Sequence, residues 1–114
     1  MRPLLLLLPL LLGAGEPLTV LVTAFEPFAG RARNGSATLA AALPEAGIPG
    51  ARIVVVRLPV TWDAPARLAA LAAEHRPRLI LGLGEGHAGR IAWERVARNR
   101  AAGADERGAQ PPAA

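Results

Sequence analysis

Residues 18–30 read LTVLVTAFEPFAG, an apolar run that passes into a turn-forming segment. The first six of these residues carry no charge and are rich in β-branched side chains, as is typical of a strand covered on both faces. A proline and a glycine follow and predict that the chain leaves the strand in a loop. The stretch therefore predicts a buried strand whose carboxyl end carries two phenylalanines, Phe25 and Phe28.

The rest of the chain predicts an alternation of helices and strands. The predicted elements are a helix over 37–43 capped by Asn34 or Ser36, a strand over 52–58, a helix that Asp63 caps, with Pro65 in its first turn, and that runs to His75, and a strand over 79–81. Such an alternation is typical of a parallel sheet with right-handed crossovers. The predicted fold class is therefore α/β with a mostly parallel sheet. Residues 91–99 fit either a strand or a helix.

Composition excludes several classes of protein. The chain has 114 residues, is 52% hydrophobic and 19% charged, and contains no cysteine. This excludes a collagen-like, coiled-coil or wholly disordered chain, a disulfide scaffold, and a thiol nucleophile within these residues. The net charge of +4 includes an arginine-rich stretch at residues 90–100, either a solvated face or a surface for an acidic partner. It lacks the interleaved aromatic residues that stack on bases, so no nucleic acid partner is expected.

Three segments are predicted along the chain. Residues 1–15 combine one arginine, a leucine-rich run and small residues, as in an export signal, although a buried first strand or helix is the alternative. The run is too short for an ordinary membrane-spanning helix. Residues 16–100 form the predicted α/β domain, and residues 101–114 are predicted to be a disordered tail.

The loop at residues 82–89 has glycines in the pattern GxGxGxxG after a strand. Backbone N–H groups at the start of a following helix would bind a phosphate, but glycines that only permit a tight crossover explain the pattern equally well. Glu85 and His87 are close in sequence, yet two donors do not define a metal site. No metal or cofactor is expected.

Three of the four aromatic residues and a run of glycines lie in loops that leave strands at the carboxyl edge of the predicted sheet, where open α/β sheets bind ligands. Phe25 and Phe28 flank Pro27 there. Two rings on a stiff turn can form a slot for a small flat ring, or they can plug the edge of the core. Their spacing leaves both interpretations open.

Five stretches together resemble the pyroglutamyl peptidase I (pyrrolidone-carboxylate peptidase) family. The run VLVTAFEPFAG at 20–30 resembles the family's VLVTGFEPFGG, with Ala24 and Ala29 in place of glycines. The other stretches are NGS at 34–36 for the family's NPS, RLPV at 57–60, GLG at 82–84, and ERVARN at 94–99 for ERVAIN. Their order and spacing agree with the family over residues 18–99.

The resemblance implies a three-layer α/β/α sandwich of the phosphorylase/hydrolase-like kind. It also implies a cysteine peptidase that removes an amino-terminal pyroglutamate from peptides with a Cys–His–Glu arrangement. Glu94 matches the glutamate that orients the histidine, and Phe25 and Phe28 match the residues that would sandwich the pyrrolidone ring. Backbone at Gly82, Leu83 and Gly84 would hydrogen-bond the lactam. The resemblance also favours a strand over residues 91–99.

Departures from the family shape the functional expectation. The family's catalytic cysteine and histidine lie in a half that these residues lack, and neither His75 nor His87 matches a catalytic position. We therefore expect a truncated, inactive pyroglutamyl-peptidase-like domain or, alternatively, a non-catalytic module that binds pyroglutamyl peptides between Phe25 and Phe28. It is expected outside the cytoplasm if residues 1–15 act as a signal, and otherwise in the cytoplasm, as is usual for the family. An unpaired sheet edge predicts a homo-oligomer.

Overall fold

The computed structural model describes residues 15–113, so the predicted export signal lies almost wholly outside the described residues. The elements in chain order are β1 (Leu18–Phe25), α1 (Gly35–Ala46), β2 (Ala51–Leu58), α2 (Ala64–His75) and β3 (Leu79–Gly82). Among residues 15–113, no helix is long and apolar enough to cross a membrane.

The three strands form one parallel sheet in the order β2–β1–β3, with β1 in the centre. At its carboxyl end, Phe25 pairs with Leu58 of β2, and Thr23 pairs with Gly82 of β3. The predicted α/β class with a parallel sheet is confirmed. The central place of β1 explains its apolar sequence, since both of its edges and both of its faces are covered.

The helices cover opposite faces of the sheet. Val22 and Ala24 of β1 pack with Ala40 of α1 in the buried core. Leu21 points to the other face, where α2 packs against β1, and it is completely buried. The first crossover leads to one side of β1 and the second to the other, so two right-handed connections place their helices on opposite faces. The result is the three-layer arrangement that the resemblance implies.

Both helices begin where a capping residue was predicted, but only one of these residues caps. The Asn34 side chain accepts a hydrogen bond from Ser36 N, and α1 starts at Gly35, before the predicted start at Ala37. Asp63 precedes α2 but makes no capping hydrogen bond, so the prediction of its capping role is wrong. Its carboxylate is bonded instead to the Thr61 hydroxyl and to two arginines.

Residues 91–99 form no strand, contrary to what the resemblance favoured. Within residues 15–113, β3 pairs with β1 alone, and a strand forms only where its backbone groups find a partner. The apolar side chains of this segment are exposed, with Ile91 at 94%, Trp93 at 84% and Val96 at 69%. The segment is therefore exposed and has no helix or strand.

Residues 103–109 form a turn that lies against the loop after β2. The backbone N–H of Gly108 donates to Asp105 O, and the indole Nε1 of Trp62 donates to Gly103 O and Ala109 O. Disorder over residues 101–114 in solution stays a prediction.

Candidate functional site

Three loops leave the carboxyl edge of the sheet side by side. They are the aromatic loop (residues 26–34), the β2 loop (residues 59–63) and the glycine loop (residues 83–90). Glu26 N donates to Leu58 O at 2.9 Å, and Leu83 N donates to Thr23 O at 2.8 Å. Strand-like pairing thus continues one residue past the end of β1 and one residue past the end of β3, which fixes where the aromatic and glycine loops start.

A buried polar network holds the backbone around Phe25. Phe25 N donates to Ser36 Oγ at 3.1 Å, and Ser36 Oγ donates to Asn34 Oδ1 at 2.7 Å. Asn34 Nδ2 donates to Glu26 O at 3.1 Å, which closes the connection between the end of β1 and the start of α1. Asn34 and Ser36 are 2% and 5% exposed, and within residues 15–113 every buried side-chain polar atom has a hydrogen-bond partner.

Sequence reasoning assigned Asn34 and Ser36 only as helix caps and missed their bonds to the strand. The signal was present, because NGS follows the aromatic motif closely enough for a cap to reach back to the strand end. A cap at this place satisfies helix and strand groups at the same time. These two residues therefore position Phe25.

Phe25 and Phe28 are both half-buried, and Glu26 and Pro27 between them are exposed. The structure thus places Phe25 at the end of β1 and Phe28 in the aromatic loop that follows, both at the carboxyl edge. Whether their rings bracket a ligand stays a prediction. Beyond Phe28 the chain turns sharply, since Arg31 N donates to Phe28 O at 3.1 Å.

That turn places a residue other than glycine in the left-handed region. Ala29 has φ of 54° and Gly30 has φ of 70°. A Cβ in this region crowds the following carbonyl and costs about 1 kcal/mol. The resembling family motif has glycine at the position of Ala29, which relieves that cost.

The glycine loop begins against the central strand. Gly82 pairs with Thr23, and Leu83 packs against the core. No helix follows within residues 83–113, so the loop lacks the helix N-terminus on which the phosphate-binding interpretation depends. Glycines that permit a tight crossover remain the better explanation of its pattern.

Glu85 joins the glycine loop to the aromatic loop. Arg31 donates to it twice, Nη1 to Oε2 at 2.9 Å and Nη2 to Oε1 at 3.2 Å, and Gly35 N donates to Oε1 at 3.3 Å. Such a bidentate pair fixes orientation as well as distance. Sequence reasoning considered Glu85 only as a metal donor. Within residues 15–113, no group of three or more His, Cys, Asp or Glu residues could hold a metal ion.

Glu94 is not brought into this arrangement. It lies in the exposed segment of residues 91–100, and in the described part of the chain it makes no hydrogen bond or ion pair. The structure therefore gathers Phe25, Phe28 and Gly82 to Gly84 at one edge of the sheet and leaves Glu94 without a bonded partner there.

Two clefts flank the aromatic loop. One, of about 400 Å³, lies between this loop, the β2 loop and the turn at residues 103–109, and Glu26, Val60 and Glu106 line it. The other, of about 250 Å³, lies between the aromatic loop and α1. Pro27 and Arg57 line both clefts, and neither Phe25 nor Phe28 lines either of them.

The carboxylates beside the larger cleft are held in the ionised form. The Thr61 hydroxyl and then the Arg67 guanidinium lower the pKa of Asp63 to about 2, with Arg107 acting in the same direction. Desolvation alone would raise the pKa of Asp105, but three backbone N–H groups outweigh it and hold the pKa below its ordinary value. Neither group is poised to exchange protons near neutral pH.

The chain is similar to known proteins over most of the described range. A family profile described as pyroglutamyl peptidase matches residues 18–111. Pyrrolidone-carboxylate peptidase from Gloeobacter violaceus is 42% identical over 96 residues, which cover 81% of this chain and 47% of that protein. Its counterpart from Pectobacterium carotovorum subsp. carotovorum is 41% identical over 97 residues, 82% of this chain and 45% of that protein.

Solved structures agree with these matches. Pyroglutamyl peptidase I from Bacillus amyloliquefaciens superposes with a TM-score of 0.68 at 29% identity, covering 83% of this chain and 47% of that chain. A second structure of the enzyme from that organism gives a TM-score of 0.61 at 30% identity. The chain spans a little under half the length of the relatives that it matches.

Proposed function

The chain belongs to the pyroglutamyl peptidase family, and we propose that its carboxyl-edge loops recognise the pyrrolidone ring of a peptide with an amino-terminal pyroglutamate. One observation carries the proposal. The polar network of Asn34 and Ser36 fixes Phe25 at the end of the central strand, directly beside the start of the glycine loop.

The chemistry of the ligand matches these groups. A pyrrolidone ring has flat apolar faces and one lactam edge with an N–H donor and a carbonyl acceptor. The rings of Phe25 and Phe28 offer apolar surface for its faces. Leu83 N–H already donates to Thr23 O. The Leu83 N–H is therefore already used. At the same edge, Leu83 C=O would accept from the lactam N–H, and Gly84 N–H would donate to the lactam carbonyl.

The 114 residues contain no cysteine, so they supply no thiolate to attack a peptide carbonyl. We propose that these residues alone recognise the ring without hydrolysing the peptide bond. The family chemistry then requires a cysteine and a histidine from elsewhere, and Glu94 is the candidate to orient that histidine. A frame that continues past residue 114 with both residues would support this version.

A second candidate is a non-catalytic module that binds pyroglutamyl peptides. It is favoured by the absence of a cysteine from these 114 residues of a chain that belongs to the family. Both versions share ring recognition and differ in whether hydrolysis occurs anywhere in the natural protein.

Binding to the purified 114-residue chain tests the shared step. By isothermal titration, a pyroglutamyl peptide is expected to bind saturably. The same peptide with an amino-terminal glutamine, which lacks the ring, is expected not to bind. Phe25→Ala is expected to weaken binding about tenfold or more through lost ring contact. The matched control Trp93→Ala removes an exposed aromatic side chain from another segment and is expected to leave the affinity unchanged.

Two results would contradict the proposal. The first is a wild-type chain without saturable binding although circular dichroism shows it folded. The second is Phe25→Ala binding as tightly as wild type. In a parallel assay with a fluorogenic pyroglutamyl amide, we expect no turnover. Turnover that resists a thiol alkylator would demand another mechanism.

The location of the protein is a separate proposal. We propose export directed by residues 1–15, on the strength of their sequence alone. Residues 1–20 fused to alkaline phosphatase, which is active only outside the cytoplasm, should give phosphatase activity in a bacterial host. Leu7→Arg in the apolar run should abolish it. An inactive wild-type fusion would contradict export by residues 1–15.

A further inference from the structure

The turn at residues 103–109, called the C-terminal strap below, is closed by its own aspartate. Asp105 Oδ1 accepts from Arg107 N and from Ala109 N, each at 2.9 Å. Asp105 N donates to Ala109 O at 2.9 Å. Together with the bond from Gly108 N to Asp105 O, these four bonds within five residues give the strap a defined shape, although it has no helix or strand.

The strap is bonded along the β2 loop. Asp105 Oδ2 accepts from Trp62 N at 3.1 Å, and Trp62 Nε1 donates to Ala109 O at 3.1 Å. Glu106 N donates to Val60 O at 3.1 Å. One carboxylate thus uses one oxygen to shape the strap and the other to dock it.

A single side chain, that of Glu106, connects the strap to the aromatic loop. Glu106 Oε1 accepts from Ala29 N at 3.1 Å, across 77 residues of sequence. Ala29 is the residue at φ of 54° that follows Phe28. A residue other than glycine keeps such a backbone only where its surroundings hold it there. The Glu106 carboxylate is one of the contacts that do so.

We propose that Asp105 and Glu106 are positioning residues for the aromatic loop, which binds the pyrrolidone ring in the proposed function. Asp105 docks the strap on the β2 loop, and Glu106 then holds the Ala29 turn, which sets the place of Phe28. The strap also forms one side of the larger cleft, since Glu106 and Arg107 line that cleft. The role in ring binding rests on the proposed function, whereas the hold on the loop does not.

Three variants separate the docking of the strap on the β2 loop from the hold of Glu106 on the Ala29 turn. Asp105→Asn retains one oxygen, so it keeps either the strap turn or the bond to Trp62 N but not both. Glu106→Ala removes the acceptor for Ala29 N, and Glu106→Gln restores an acceptor without the charge. Glu45→Ala is the matched control, because it removes the same charge from an exposed site in the last turn of α1. That helix runs back toward the amino edge of the sheet, away from the strap.

The first readout needs no ligand. Hydrogen exchange of the Ala29 amide, measured by NMR, is expected to quicken about three- to tenfold in Glu106→Ala and in Asp105→Asn. It is expected to return close to the wild-type rate in Glu106→Gln and to stay unchanged in Glu45→Ala. Either Trp62 N–H or the strap amides of Arg107 and Ala109 should exchange faster in Asp105→Asn alone, according to which bond the remaining oxygen keeps. A merely stabilising role would change many amides together and would show no rescue by glutamine.

The second readout is the affinity for a pyroglutamyl peptide, which should weaken about three- to tenfold in the same two variants and recover in Glu106→Gln. Unchanged Ala29 exchange in both Glu106→Ala and Asp105→Asn overturns the hold on the loop. Faster exchange with undiminished affinity overturns the role in ring binding. If wild type fails to bind the peptide while exchange responds as described, the proposed function fails and the hold on the loop stands.

Discussion

The stretch around Phe25 and the stretch around Glu94 each resemble a motif of the pyroglutamyl peptidase family, yet only the first is ordered by hydrogen bonds. Phe25 N reaches Ser36 Oγ, and Glu26 O is bonded by Asn34, all within about a dozen residues of chain. Residues 91–100 have exposed side chains and pair with no strand in the described part of the chain. A matching motif shows which position of the family a residue corresponds to. The backbone at that position is ordered only where its N–H and C=O groups find hydrogen-bond partners.

The strongest way to break this comparison is to remove Asn34. Asn34→Ala deletes a helix cap, the partner of the Ser36 hydroxyl and the donor to Glu26 O, so the free energy of unfolding should fall by about 2–4 kcal/mol. Asn99→Ala makes the same chemical change in the exposed segment and should cost within about 0.5 kcal/mol. Urea unfolding measures both. Equal losses for the two variants would contradict the contrast between the regions.

Association tests whether the exposed segment finds its partner in a second copy. The exposed apolar side chains of Ile91 and Trp93, and the edge of β3 that is unpaired within residues 15–113, predict that the chain self-associates. The double variant Ile91→Ser/Trp93→Ser should lower the mass measured by light scattering toward 11.8 kDa. Leu39→Ser, at a half-exposed position of α1, is the control and should not. A wild-type chain already at 11.8 kDa would end this expectation.

Glycine at position 29 should sharpen the order of the aromatic loop. Ala29→Gly relieves the left-handed backbone and should raise the free energy of unfolding by about 0.5–1 kcal/mol. Ala88→Gly places the same substitution where φ is not positive and should lower it by about 0.5 kcal/mol through the unfolded chain. Thermal unfolding compares the two. Opposite signs are the prediction, and a shared sign would contradict the strain at Ala29.

The smallest effect concerns pH and the β2 loop. The pKa of Asp63 is about 2 in the folded chain and near 3.8 when unperturbed. The unfolded state therefore binds more protons between these values, and stability rises with pH there. The contribution of Asp63 is complete above about pH 4 and is lost as pH falls toward about 2. Asp63→Asn should flatten that part of the stability profile, which urea unfolding across the same pH range measures, and an unchanged profile would contradict the lowered pKa of Asp63.

Local patterns predicted the elements, and distant partners account for what they missed. The three strands and the two helices could be read from apolar runs and caps, because those signals lie within each segment. Asp63 looked like a cap, but Thr61 and Arg67 occupy its oxygens. Nothing local in residues 103–109 indicated that the strap docks at the carboxyl edge, since its docking contacts are with Trp62 and Ala29, more than 40 residues away.

The candidate site was predictable to a similar degree. Phe25, Phe28 and the glycine loop meet at the carboxyl edge because parallel strands end there together. The bond between Arg31 and Glu85 joins segments 54 residues apart and has no local signature. Glu94 was predicted from its motif alone, and its role depends on a histidine that the proposal assigns to residues beyond these 114.

The most direct test of ring recognition is an NMR titration of the isotope-labelled chain with a pyroglutamyl peptide. We predict saturable amide shifts confined to residues 25–31 and 82–85, with residues 91–100 unmoved, and no shifts with the glutamine-headed peptide. Shifts centred on the arginine-rich residues 90–100, or equal shifts with both peptides, would contradict recognition of the pyrrolidone ring at the carboxyl edge of the sheet.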